Sequence, residues 1–430
     1  MLACVSPIFA QYGGPAILSR GQAPSAMSAT QIDFRPFVSL GADYNSGLGG
    51  ISLDAQGKPV SDFSYGVTVS AGVSGLHSWK HTHIGLDYRA SLQHNFRLSF
   101  YDSTTQNLML GIDHQLTRHA NLSIHTGAGI SSGYSGGATL LSSVPFDPST
   151  LYRPNNDFFD NRTIYLSTQV NLSIQKSTRL SYSVGVDGFL NRRRSSALYG
   201  VSGGGAHGDV QYRISRRSTA GVAYNYAHYA FRGIFSGTDI HTLAGTYAIT
   251  LTRATEFSAM VGASRYETKF VQTVAVDPVI AALIGISSAQ RVAYAVSYTP
   301  NFVARLSRTV RKGVVFVNAG RSMSPGNGLF LTSVATTAGA GYSYAGLRHW
   351  AVSTGGSYSR SDSVGNVLGI YSNYSGNMNI SRQVAPHTHG FLSFSANHAS
   401  SKDFQNYNKW QYSASLGLTF APGDVPIRFW

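Results

Sequence analysis

The chain has 430 residues, 43% hydrophobic but only 12% charged, with 46 glycines, 25 tyrosines and 22 phenylalanines. A soluble domain carries about 25% charge, so about half the usual polar coat is missing; the aromatic content excludes disorder, and the absence of any apolar run of about 18 residues excludes membrane helices. The formal net charge of +14 accompanies no nucleic-acid motif, and its basic residues stand singly at the ends of apolar segments, so they are expected to meet lipid phosphates rather than nucleic acid.

The first ten residues, Met1 to Ala10, end in Ile8-Phe9-Ala10 and contain the only cysteine, Cys4. They read as the end of an export signal cleaved before Gln11, although a basic leading region is missing and would lie upstream. A lipoprotein reading at Leu2-Ala3-Cys4 lacks the apolar stretch it needs. Cleavage at Ala10 would leave no cysteine and no disulfide. Residues 11–31 are rich in Gly, Pro, Ala and Ser without period, and read as a periplasmic lead-in or small plug.

From Ile32 onward a period of two dominates. Phe63, Tyr65, Val67, Val69, Ala71 and Val73 alternate with Ser64, Gly66, Thr68, Ser70, Gly72 and Ser74. Ile164 to Ile174 and the long run Val292 to Leu306 repeat the split, and Tyr412, Ala414, Leu416, Leu418 and Phe420 alternate with Ser413, Ser415, Gly417 and Thr419. Successive strand side chains point to opposite faces, so one face suits oil and the other a polar interior. A soluble sandwich also alternates, but three features favour a membrane barrel. Short basic turns such as Leu116-Thr-Arg118, Lys176-Ser-Thr-Arg179 and Leu251-Thr-Arg253 alternate with long polar loops such as 45–62, 135–161 and 191–205, as a membrane barrel requires. Trp79 and Trp350 stand beside short turns, where amphipathic rings meet headgroups. The chain also ends in aromatic residues.

About eighteen such segments lie between 32 and 420, sixteen being the alternative. They predict an all-β chain, a transmembrane antiparallel up-and-down β-barrel forming one domain over 32–420, with 421–430 as an aromatic tail. Hydrocarbon offers no partner to an open sheet edge, so closure follows.

On this pattern the chain resembles the porin-like outer-membrane β-barrel proteins of Gram-negative bacteria, over nearly its whole length. The most specific element is Tyr412 to Phe420, YSASLGLTF. The resemblance implies that Tyr412, Leu416, Gly417, Leu418 and Phe420 act as the assembly signal read by the barrel-assembly machinery. In that family the signal ends the chain; here Ala421 to Trp430 follows, so Phe429 and Trp430 share the candidacy. No signature of a particular transporter family is present, and 11–31 is too short for a receptor plug.

Several motifs have bland explanations. Gly129 to Gly133, Gly133 to Gly137 and Gly200 to Gly204 match G-x-S-x-G, but a nucleophile elbow needs strand, strained turn and helix, and these lie at strand tips and loops. The expectation is therefore no enzyme. His77, His81, His83, His387 and His389 include His-x-His pairs able to chelate a transition metal, yet no carboxylate or cysteine joins them; polar caps at the membrane edge explain them, with no metal and no cofactor. Arg192, Arg193 and Arg194 form the densest charge cluster and are candidates for lipopolysaccharide phosphates or a solvated loop. The apolar stretch Val271 to Ser288 and the loop Tyr134 to Asn161 are candidates for inward constrictions, the first also for contact with a neighbouring subunit in a homo-oligomer or for a strand not recognised as such.

By parity the ionisable residues facing the lumen include Asp87, Arg89, Asp113, His125, Asp187, Asp209, Arg213 and Arg305. Both signs occur, so no strong ion preference is expected. The expected function is porin-like passive passage of small hydrophilic solutes through an outer-membrane barrel; the rival is a structural or adhesive barrel with an occluded lumen.

Overall fold

The computed structural model describes residues 32–48, 62–97, 102–132, 163–193, 199–233, 236–276, 279, 282, 283, 285, 288–324, 332–344, 346, 349–364, 370–401, 409–422 and 425–427. The two leading segments, the 134–161 loop, Arg194, Phe429 and Trp430 lie outside them.

The described residues form β1 (Ile32–Leu48), β2 (Asp62–Ser78), β3 (Thr82–Asn95), β4 (Ser103–Thr117), β5 (Ala120–Ser132), β6 (Thr163–Gln175), β7 (Leu180–Arg193), β8 (Gly200–Arg213) and β9 (Ser218–Arg232). They continue as β10 (Gly237–Thr252), β11 (Thr255–Ala275), β12 (Ser288–Val310), β13 (Gly313–Ser324), β14 (Ser333–Tyr344), β15 (Trp350–Ser363), β16 (Ile370–Ala385), β17 (Thr388–Ser401), β18 (Lys409–Phe420) and the short β19 (Val425–Ile427). Each strand from β1 to β18 pairs antiparallel with the next, and β18 returns to β1 through pairs running from Val38–Phe420 to Ser46–Tyr412. The sheet is a closed up-and-down barrel of eighteen strands. No edge is left where strands meet, which is the condition for spanning lipid with sheet. β19 carries the wall past Phe420, its residues pairing with Ile32, Asp33 and Phe34 of β1. The tail thus begins as an extension of the seam.

Turns of a few residues close one end, as between Thr117 and Ala120, Thr252 and Thr255, and Val310 and Gly313; the other end holds the longer connections, such as 49–61 and 133–162. Two local features of the wall follow from residue type. β8 begins at Gly200, and its first half carries no visible alternation because the glycines at 203–205 have no side chain to show it. The β12–β13 ladder stops at Phe302–Arg321, while β12 continues along β11 up to Ser288. Pro300 sits just above that stop. It has no N–H to donate, so a neighbour's ladder cannot continue across it.

Which face is inner follows from contacts between strands that are not neighbours. Side chains of strands two apart converge only on the concave side. Tyr165 of β6 donates to Asn107 of β4 at 2.8 Å, Gln211 of β8 donates to Thr246 of β10 at 2.9 Å, and Arg89 of β3 lies 6.0 Å from the Phe37 ring of β1. Each contact passes over a glycine of the intervening strand: Gly129, Gly221 and Gly72. The opposite face carries the large exposed apolar side chains, among them Leu40, Val69, Leu166, Val184, Val222, Leu243, Val261 and Leu416. That face is convex.

Candidate lumen wall

The inner wall is built mainly from small polar residues, because the inward parity of nearly every strand falls on Ser, Thr, Asn or Gly. β16 and β17 show it well: Asn373, Ser375, Asn377 and Asn379 pair with Ala399, Asn397, Ser395 and Ser393. Hydroxyls bond across strands, Ser393 with Ser415 at 2.5 Å and Ser395 with Ser413 at 2.6 Å. These bonds satisfy polar groups within the wall and leave few side chains long enough to cross the interior.

The wall also carries inward aromatic rings, which the alternation alone assigns no place. Phe37, Phe189, Phe316 and Phe391 lie on the inner parity, each over a glycine of the next strand: Gly72, Gly203, Gly341 and Gly417. A Cβ on Gly417 would stand 2.6 Å from the Phe391 ring, and one on Gly72 would stand 2.5 Å from the Phe37 ring. The missing side chain lets the ring lie along the wall instead of projecting into the interior. The signal is present in sequence only as glycine at inner positions; the pairing that matches ring to glycine needs the register.

The strand register places Asp87, Arg89, Asp113, His125, Asp187, Asp209 and Arg305 on this inner face. Asp87 and Arg89 form a bidentate pair at 2.8 and 2.9 Å. His125 Nε2 lies 3.7 Å from Asp113 Oδ1, bringing together two residues twelve positions apart. Arg305 lies 5.9 Å from the Phe316 ring, so both Arg89 and Arg305 stand over rings that are themselves seated on glycine. Arg213, at the foot of β8, turns its guanidinium onto the carbonyls of Ser215 and Arg216 at 3.1 Å and caps the turn. Sequence reasoning missed further inner groups, among them Asp43, which accepts a hydrogen bond from Thr68 Oγ1, and His207, whose ring covers Gly185.

Two contacts stand near the long-loop end. Val201 and Phe231 are buried against Phe189, Tyr199 and Tyr229, and Thr332, just before β14, bonds Thr238 of β10 at 2.7 Å. Of the two constrictions expected from sequence, only Val271 to Ser288 is partly described. Its first residues lengthen β11, and Val279 and Leu283 are 69% and 80% exposed. Arg192 pairs with Ile164 on the outer face, and Arg193 with Thr163 on the inner.

Other candidates resolve locally. Gly200 to Gly204 lies within continuous β8, so no turn into a helix follows Ser202. His77 meets the Trp79 ring edge-on at 4.0 Å, and His83 Nδ1 bonds Ser78 Oγ at 2.8 Å. Among the described residues no three His, Cys, Asp or Glu side chains converge as a metal set. Asp102, outside the strands, accepts from the Asn95 backbone N–H at 2.7 Å and bonds His94 Nδ1 at 2.8 Å. Burial pushes its carboxyl up, but those hydrogen bonds outweigh it and hold the group below the usual carboxylate range.

No protein-family model matches the chain, and no curated protein matches its sequence. Among solved structures it is similar to Pseudomonas aeruginosa OpdQ (TM-score 0.44, 10% identity, covering 93% of this chain and 98% of that one). It is similar also to Pseudomonas aeruginosa OccK5, or OpdH (0.44, 11%, 92% and 98%), and to the ferric-catecholate import receptor Fiu of E. coli K12 (0.43, 9%, 92% and 82%). These likenesses concern the fold alone, a closed antiparallel barrel of eighteen strands.

Proposed function

We propose that the protein is a bacterial outer-membrane barrel through which small hydrophilic solutes pass passively. One observation carries this reading: the interior of an eighteen-strand barrel is lined mainly by Ser, Thr, Asn and Gly, with Phe37, Phe189, Phe316 and Phe391 seated against glycines. Barrels of 16–18 strands are wide enough to leave an aqueous channel when their side chains do not fill it. Selectivity would then reside in Asp87, Arg89, Asp113, His125, Asp187, Asp209 and Arg305 where solute passes them. The closing strand, with Tyr412, Leu416, Gly417, Leu418 and Phe420, serves as the assembly signal, and Val425 to Ile427 prolong it.

The buried cluster at Val201 and Phe231 and the reach of Thr332 to Thr238 favour the rival, an occluded structural barrel, at the long-loop end. Planar-bilayer recording of the purified protein separates them. Stable ohmic steps are expected; a protein that inserts and stays silent overturns the channel reading.

A further inference from the structure

Outward-facing ionisable groups fall into two rings. Near the short turns stand His77, His114, Arg308 and Arg382, with Arg382 lying 5.0 Å from the Trp350 ring. Toward the long-loop end stand His94, Arg192, His228, Arg232, Asp239, His241, Arg265, Glu267, Lys269, Arg321, Arg360, Asp362 and His398, all on the outer parity. Along β11 the outward residues between the rings are Phe257, Ala259, Val261 and Ala263. From Thr255, opposite Arg308, to Arg265 is ten residues (265 − 255), or about 33 Å of strand. At a tilt of about 40° it stands about 25 Å tall, the height of the apolar band of such barrels. On β15 the step from Trp350 to Arg360 is again ten residues (360 − 350). The upper ring therefore lies at the outer headgroup level.

Within that ring the outer surface of β9, β10 and β11 gathers three polar groupings on adjacent strands. Tyr224 Oη bonds His241 Nδ1 at 2.7 Å, Tyr226 Oη donates to Asp239 at 2.8 Å, and His228 Nδ1 reaches the same carboxylate oxygen at 2.8 Å. Arg265 lies 3.4 Å from Glu267, and Lys269 stands two residues further on the same face. The ring as a whole carries Arg192, Arg232, Arg265, Lys269, Arg321 and Arg360 against only Asp239, Glu267 and Asp362 among its described members. Its surplus is cationic, and its acids orient cations and tyrosines. Fixed guanidinium and ammonium groups suit phosphate, and tyrosine rings with immobilised hydroxyls suit the faces of sugars.

We propose that the outer face of β9–β11 binds the phosphorylated sugar headgroup of an outer-leaflet lipopolysaccharide, with Arg265 and Lys269 on phosphate and Tyr224 and Tyr226 against sugar. This inference rests on the outer-membrane reading and moves the principal contact away from the Arg192–Arg194 run. The test uses the full barrel in phosphatidylethanolamine vesicles holding either lipopolysaccharide or phosphatidylglycerol at matched charge, extracted in detergent and captured; the lipid retained per barrel is measured. Wild type should retain lipopolysaccharide over phosphatidylglycerol. Combining Arg265→Gln with Lys269→Gln should lower that retention about twenty-five-fold, each cation near an anionic surface counting for about fivefold. Arg308→Gln with Arg382→Gln, an equal charge loss in the lower ring, should leave it unchanged, and gel migration of unheated against heated samples reports that each barrel is folded. Equal retention of both lipids, or equal losses from the two double variants, overturns the inference. A wild-type barrel that inserts and conducts but retains no lipopolysaccharide sinks this inference alone, whereas failure to insert sinks the outer-membrane reading beneath it.

Discussion

The inner wall has two unlike arcs. From β1 to β8 it carries Asp43, Asp87, Arg89, Asp113, His125, Asp187, His207 and Asp209, several of them in pairs. From β14 to β18 the described inner side chains include no Asp, Glu, Lys or Arg; hydroxyls and amides bond one another instead, as Ser357 does with Ser375 at 2.5 Å. A single strand-by-strand tally of charge therefore misleads. Both signs are present from β1 to β8, with Arg305 of β12 beyond them, and solute crossing the barrel would meet charged side chains on the first arc and neutral donors and acceptors on the second. The outer face makes no such distinction: apolar side chains cover both arcs between the two ionisable rings.

The sharpest way to break this picture is to place one new cation on either face of the neutral arc. Leu416, 63% exposed on the convex side, becomes Arg at about 2–4 kcal/mol if it sits at the bilayer midplane, and Leu416→Arg should abolish insertion, read as loss of the folded form in membrane fractions. Ser415→Arg lies one residue away, with Asp43 as its register partner, and should insert normally. Equal tolerance of both would refute the facing. The surviving variant then sharpens the contrast, because a cation on the uncharged arc should move the reversal potential of a salt gradient toward anions.

A smaller effect is expected from the seam. Deleting residues 412–430 removes the strand that closes onto β1 and should prevent assembly, while deleting 421–430 removes only the pairs with Ile32, Asp33 and Phe34; the yield of folded barrel after each deletion checks this. On the charged arc, Asp87→Asn leaves Arg89 without its bidentate partner and should shift selectivity toward anions, with insertion unchanged. Unaltered reversal potential would show that solute does not pass this pair. The least effect belongs to Asp102. Its carboxyl is held low in the folded state, so its contribution is present above the ordinary carboxylate range and fades as pH falls through the lowered value. Proteolysis between β3 and β4 should quicken only at that acid end, and Asp102→Asn should remove the dependence.

The fold was largely legible because period two is a local signal: the splits at Phe63–Val73, Ile164–Ile174 and Tyr412–Phe420 fix which residues share a face without any knowledge of neighbours. Register is not local. That Phe391 needs Gly417, that Arg89 reaches Phe37 over Gly72, and that Thr332 meets Thr238 are facts about which strands lie side by side. The same limit hid the two arcs and the polar groupings on β9–β11, since His228 and Asp239, or Tyr224 and His241, become neighbours only once the hairpin is paired. Pro300 was visible throughout, but its effect on the β12–β13 ladder depends on which side of β12 each partner takes.

Joining β18 to β1 has a consequence for how the molecule is made. Every other strand can zip onto the one synthesised just before it, whereas Val38 waits for Phe420, and contacts so distant in the chain form slowly. Until then the sheet is a ribbon with two adhesive margins, each able to recruit the wrong neighbour. Biogenesis must therefore shelter β1 for the whole time it takes to deliver the rest, and a helper that holds this first strand would govern the pace of maturation.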